Sequence, residues 1–127
     1  GLSRAEREAI AVVVSANNDC QYCVNHHAEA LRRYISDDEM IEMLKKADGL
    51  ETFEPRLSNI VRHAEKLTTA PGAMTESDLG ELRAVGLTEK DILDLTLIVA
   101  YFNFVNRVAM GLGVTFSAEE IVGYRDD

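Results

Sequence analysis

The feature that most constrains this chain is a recurring helix start. A Ser or Thr followed three residues later by an acid can satisfy two orphan backbone N–H groups reciprocally. Five places fit: Ser3/Glu6, Ser36/Glu39, Thr75/Asp78, Thr88/Asp91 and Ser117/Glu120. Four of them carry an apolar pair that would staple the chain's entry into the helix: Ile35/Met40, Met74/Leu79, Leu87/Ile92 and Phe116/Ile121. Stops alternate with these starts at Asp48-Gly49, Pro71-Gly72, Gly86 and Gly111/Gly113, and Pro55 suits the first turn of a further helix. The pattern predicts an all-α fold with helices near 3–17, 19–34, 37–47, 55–69, 76–85 and 89–110, plus a short one at 118–122. No segment shows sustained strand alternation bounded by turns.

Length and composition agree with one domain over 1–127. Thirteen basic against 22 acidic residues leave a net charge of −9, which argues against nucleic acid or an anionic membrane as partner. The most apolar run, Ile92 to Val105, is broken by Asp94, Thr96 and Asn103, so it reads as a buried core helix rather than a span. The whole segment from Glu89 to Met110 is apolar on nearly every face, more than a small monomer can cover, which points to a homo-oligomer. Within it Asn103, Asn106 and Arg107 form an i, i+3, i+4 polar stripe, read as structural or interface hydrogen-bonders. No signal peptide is visible, and a cytoplasmic location is expected.

The chemistry concentrates in Asn18-Asp19-Cys20-Gln21-Tyr22-Cys23-Val24-Asn25-His26-His27. Asn18 or Asp19 is a good N-cap. Helical period then gathers Cys20, Cys23 and His27 on one face, with His26 turned away. Cys23 and His27 are i, i+4 neighbours. A thiolate is the nucleophilic form of cysteine, and a helix N-terminus or a nearby base promotes it. A second cysteine three residues away can close a disulfide. Three readings stay open on residues alone: a redox pair, half of a zinc site, and a passive buried pair. Structural zinc needs four ligands, and neither a second CxxC nor an HxxxH exists here. His63 lies on an apolar face with Ile60, Ala64 and Leu67 and reads as a core histidine.

Glu8, eleven intervening residues, then Cys20-x-x-Cys23-x-x-x-His27 resembles the signature of alkylhydroperoxidase D, which shares its all-helical fold with the carboxymuconolactone decarboxylases. Ser15-Ala16-Asn17-Asn18-Asp19-Cys20 and Ala100-Tyr101-Phe102-Asn103-Phe104-Val105-Asn106-Arg107 resemble the peroxidase-related branch of that family. The resemblance implies a peroxidase acting on organic hydroperoxides. Cys23 would be the peroxidatic nucleophile, Cys20 the resolving partner, and His27 with Glu8, through a water, the proton relay. It implies no metal, haem or other cofactor, a lipoyl- or thioredoxin-type dithiol as reductant, and trimers or hexamers. It also implies helices upstream of Leu2. The archetype's second histidine, between the cysteines, is Tyr22 here.

Other readings remain beside it. The chain could be a decarboxylase or lactone-processing enzyme of the same fold, or a redox switch without turnover. Glu8 alone could be an exposed acid paired with Arg4. The helix dipole would favour the thiolate at Cys20, nearer the helix start, whereas the relay favours Cys23.

Overall fold

The computed structural model describes residues 1–113. Among them the chain forms six helices and no strand: α1 (Arg4–Asn17), α2 (Gln21–Leu31), α3 (Asp38–Lys46), α4 (Pro55–Thr69), α5 (Glu76–Ala84) and α6 (Glu89–Gly111). Single 3₁₀ turns at Leu50–Thr52 and Pro71–Ala73 lead into α4 and follow it. The expected helix at 118–122 and the Ser117/Glu120 box lie outside the described residues.

Three of the expected capping boxes form. Ser3 accepts from the Glu6 N–H at 3.0 Å while Glu6 accepts from the Ser3 N–H at 2.8 Å. Thr88/Asp91 closes the same way, and at Thr75/Asp78 the Asp78 carboxylate accepts from both the Thr75 N–H at 2.8 Å and the Thr75 hydroxyl at 3.2 Å. The Ser36/Glu39 box does not. Asp37 caps α3 instead, its carboxylate accepting from the Met40 N–H at 3.1 Å. A charged acceptor beside the positive helix end makes the stronger cap. Ile35 and Met40 nonetheless both pack against the same core cluster.

Helix α1 is the central element. Its residues Ala9 to Ser15 are all buried, so apolar groups are needed around its whole circumference. One side of α1 (Ile10, Val14) packs on Ile60 and Ala64 of α4, Leu82 of α5, and Ile92, Leu95 and Val99 of α6. The other side (Ala9, Val12, Val13) packs on Ala28 and Leu31 of α2, Ile41 and Leu44 of α3, and Leu57 and Val61 of α4. Glu8, immediately before this buried stretch, is thereby fixed at the edge of the α1–α2 contact.

Helix α6 corrects one expectation. It is not a buried core helix: Asp91, Ile92, Leu95, Val99 and Asn106 face inward, while Leu93, Leu97, Tyr101, Phe104 and Val108 are exposed. At 23 residues it is also long and apolar enough to cross a membrane, by length and composition alone. In the fold, its inner face packs on α1 and α4.

Candidate active site

Two helices and the corner between them build the site. α1 ends at Asn17, with Asn18 as its C-cap. Asp19 follows in the left-handed region at φ 61°, a conformation that Asp tolerates better than most side chains. The Cys20 N–H then donates back to the Ser15 carbonyl at 3.0 Å, closing the corner. Cys20 becomes the N-cap of α2, its carbonyl accepting from the Val24 N–H at 2.9 Å. The expected cap at Asn18 or Asp19 is thus displaced by one or two residues. The reason is a long-range demand on Asn18. Its amide donates to Asn103 Oδ1 at 2.9 Å and to Asn106 Oδ1 at 3.0 Å, both on α6.

That demand belongs to a polar cluster. Asn106, with no exposed surface, donates to Ser15 Oγ at 3.1 Å. Asn103 donates to Thr68 Oγ1 at 3.2 Å, and Arg107 donates to Asn103 Oδ1 at 2.9 Å. The polar stripe on α6 is therefore structural, and its target is the corner that presents the cysteines. The sequence gives the stripe but not its partner, which lies 85 to 88 positions away.

Cys20 and Cys23 are joined as a disulfide, with Cα atoms 5.3 Å apart. Both are almost wholly buried. Cys20 at the N-cap and Cys23 at the third helical position both sit at the positive end of α2. The dipole thus supports a thiolate at either sulfur, and the contest between dipole and relay largely disappears.

One turn further on, His27 is buried, and its Nδ1 lies 2.9 Å from Oε2 of Glu8 on α1. The Phe102 ring of α6 meets the imidazole edge-on at 4.8 Å between centroids. The four residues thus form two contacts, Glu8–His27 between α1 and α2 and Cys20–Cys23 at the start of α2, with His27 one turn after Cys23. Glu8 does not pair with Arg4, whose guanidinium lies over the Tyr34 ring, 5.9 Å from its centroid. His26 is also buried and stacks on Tyr22, with the ring centroids 4.2 Å apart.

Two features of the surroundings were not signalled by any motif. A largely apolar cleft of about 360 Å³ opens on Glu8 between α1 and α6, walled by Arg4, Arg7, Leu97, Tyr101 and Phe102. Phe102 stands between this cleft and His27. His63 is buried on α4 as expected, but it borders a separate cleft of about 410 Å³ with Lys66, Asp78 and Glu81. Burial pushes its pKa down. Among the described residues no group of three or more His, Cys, Asp or Glu is placed to hold a metal ion.

Comparison with known proteins agrees with this architecture. A peroxidase-related protein from Silicibacter sp. TM1040 superposes with a TM-score of 0.86 at 35% identity, covering 98% of this chain and 63% of the other. A structure described as an alkylhydroperoxidase AhpD core, a peroxidase-related protein from Ralstonia eutropha JMP134, gives 0.87 at 32% identity, covering 98% and 66%. The chain therefore spans just under two thirds of the length of both. The protein YdfG of Bacillus subtilis (strain 168) is 24% identical over 112 residues, 88% of this chain and 76% of that one. The sequence model of the carboxymuconolactone decarboxylase family matches residues 1–65, the segment that carries Glu8, both cysteines and His27. This all-α chain belongs to the carboxymuconolactone decarboxylase family, on the side of its alkylhydroperoxidase D-like, peroxidase-related members.

Proposed function

We propose that the protein is a thiol-dependent peroxidase that reduces organic hydroperoxides through Cys23 and Cys20. The observation that carries this reading is the Glu8–His27 pair, one helical turn from a cysteine pair at a helix N-terminus. A passive buried disulfide has no use for a carboxylate-oriented imidazole. Ionised Glu8 accepts from Nδ1–H of His27, which makes Nε2 the basic nitrogen of the ring. His27 at i+4 then takes the proton of the Cys23 thiol, directly or through one water.

The Cys23 thiolate attacks the terminal peroxide oxygen. The O–O bond breaks, and the alkoxide leaves and takes up a proton as the alcohol. Cys23 is oxidised to the sulfenic acid. The Cys20 thiol condenses with it, expelling water and forming the Cys20–Cys23 disulfide, the state held in this structure. An external dithiol of lipoyl or thioredoxin type attacks that disulfide, restores both thiols and leaves as its own disulfide. No metal or organic cofactor enters these steps.

The experiment is peptide mass spectrometry of the reduced protein after one equivalent of cumene hydroperoxide. One Cys20–Cys23 disulfide and one cumyl alcohol per chain are expected, with catalytic turnover when a dithiol is supplied. Thiols left unchanged after that treatment refute the reading. A single oxidation that no dithiol reverses points to a redox switch instead.

A further inference from the structure

We infer that the cleft on Glu8 selects hydroperoxides that carry a carboxylate at the far end of an apolar chain, with Arg4 and Arg7 holding that carboxylate. The chemistry of this inference rests on the peroxidase reading; the carboxylate site rests on the cleft alone.

Two properties of the cleft point the same way. Its wall on α6 is apolar, made of Leu97, Ile98, Tyr101 and Phe102, and its volume of about 360 Å³ is that of a small-ligand site. Its wall on α1 carries Arg4 and Arg7, both exposed, beside Glu8. In a chain of net charge −9 cations are scarce, and Arg32, Lys45, Arg56, Lys66, Arg83 and Lys90 all pair with acids. Arg4 and Arg7 make no ion pair and no side-chain hydrogen bond among the described residues. The Arg4 guanidinium lies over the Tyr34 ring, 5.9 Å from its centroid, which leaves its in-plane N–H groups free to donate.

Charge fixes the orientation of such a ligand. Glu8 Oε2 sits on His27 at the inner end, and a second carboxylate there would be repelled. The acid end therefore takes the two guanidinium groups, whose paired donors suit a carboxylate, and the chain takes the α6 wall. The helices then set the length. α1 and α6 run parallel, with the Gly1 amine 3.7 Å from Asp91 and Asn106 bonded to Ser15. α2 returns antiparallel to α1, which is what pairs Glu8 with His27. Arg4 thus lies one turn of α1 before Glu8, and Cys23 one turn of α2 to the other side of His27. Arg4 and the sulfur are about two helical turns apart along the axis, about 11 Å, which an extended chain of roughly nine carbons spans. Phe102 stands across the inner end, edge-on to His27 and Tyr101. Turning its ring aside opens the way to Cys23, a rotamer change rather than a backbone movement. The Cys23 thiolate then attacks the terminal peroxide oxygen and becomes the sulfenic acid. The O–O bond breaks, and the alkoxide takes the proton held on His27 and leaves as a hydroxy acid.

The test uses the 127-residue chain with dithiothreitol as the dithiol. It compares 10-hydroperoxydecanoic acid with its methyl ester and with 5-hydroperoxypentanoic acid. The ten-carbon acid is expected to exceed both in kcat/KM by about tenfold or more, chiefly through a lower KM. Arg4→Gln/Arg7→Gln should bring the acid-to-ester ratio close to one, while Arg4→Lys/Arg7→Lys should retain part of the preference. Calorimetry of the oxidised protein with decanoate, where no reaction occurs, should show binding that the glutamine variant weakens by about tenfold or more. Equal kcat/KM for acid and ester in the parent, with turnover intact, overturns the inference and leaves the peroxidase reading standing. Decanoate binding through Arg4 and Arg7 in a protein that reduces no hydroperoxide does the reverse: it overturns the peroxidase reading and upholds the carboxylate site. An acid preference that survives in the glutamine variant overturns the assignment to Arg4 and Arg7. Equal kcat/KM for the ten-carbon and five-carbon acids overturns the span.

Discussion

Replacing Asn106 by Leu removes the buried tie between α6 and the cysteine corner while keeping the number and branching of the side-chain heavy atoms. Asn106 accepts from the Asn18 amide at 3.0 Å and donates to Ser15 Oγ at 3.1 Å. The two ends differ in cost. Asn18 is partly exposed and keeps its second bond, to Asn103 Oδ1, so loss there costs under about 1 kcal/mol. Ser15 has no exposed surface, and stranding its hydroxyl costs about 1–2 kcal/mol. The total is about 2 kcal/mol, which for a domain of this size lowers Tm by roughly 8 °C. Thermal unfolding of the oxidised protein reads this directly. A double-mutant cycle isolates the buried half: Ser15→Ala in the Asn106→Leu background should recover about 1 kcal/mol, because the stranded hydroxyl is gone. Native-state hydrogen exchange should also show faster exchange at the Cys20 N–H, which closes the corner onto Ser15. If Asn106→Leu unfolds within about 0.5 kcal/mol of the parent and Cys20 exchange is unchanged, the network does not hold the corner and the reasoning fails.

Three further outcomes follow from other parts of the chain. Glu8→Gln preserves the shape of the 2.9 Å contact with His27 but removes its charge, so hydroperoxide turnover should fall by about 10²–10⁴ while the circular dichroism spectrum stays unchanged. Burial holds the His63 pKa below its ordinary value, so the unfolded chain binds the extra proton first as pH drops. Stability should therefore decline as pH falls below about 6.5, and His63→Gln should flatten that decline in urea titrations run from pH 7 to 5. Ala47 ends α3 in the left-handed conformation at φ 50°, with the Asp48 N–H donating to the Met43 carbonyl at 3.0 Å. Ala47→Gly should relieve that conformation and raise stability by about 0.5–1 kcal/mol, measured as a Tm increase.

The helices were legible because their starts are local chemistry. Thr75, Thr88 and Ser3 each meet an acid three residues on, and the distant cations that also bond these acids, Arg56 on Glu6 and Lys66 on Asp78, leave the helix starts in place. Pro55 opens α4 as its fixed φ suggests. The start of α2 was misplaced because Asn18 answers to Asn103 and Asn106, far along the sequence, and Asp19 must take a positive φ to let it. The α3 cap moved one residue because two adjacent candidates, Ser36 and Asp37, compete and the carboxylate wins. At the site, the helical period placed Cys23 and His27 on one face of α2. Whether Glu8 reached them depended on how α1 crosses α2, which no local pattern encodes; the pairing with His27 follows from the Ala9, Val12 and Val13 face seating on Ala28 and Leu31. The exposure of α6 was half legible: its apolar excess was visible, but not which face the core would take.

The central claim is that Cys23 is the sulfur that meets the peroxide and that Cys20 resolves it. The most direct measurement is stopped-flow oxidation of the fully reduced protein by cumene hydroperoxide, with dimedone trapping of sulfenic acid, in Cys20→Ser and Cys23→Ser. The account predicts that Cys20→Ser reacts at close to the parent rate and accumulates one trapped sulfenic acid at Cys23, while Cys23→Ser reacts no faster than a free thiol. A trapped sulfenic acid at Cys20 in Cys23→Ser, formed at the parent rate, would contradict it.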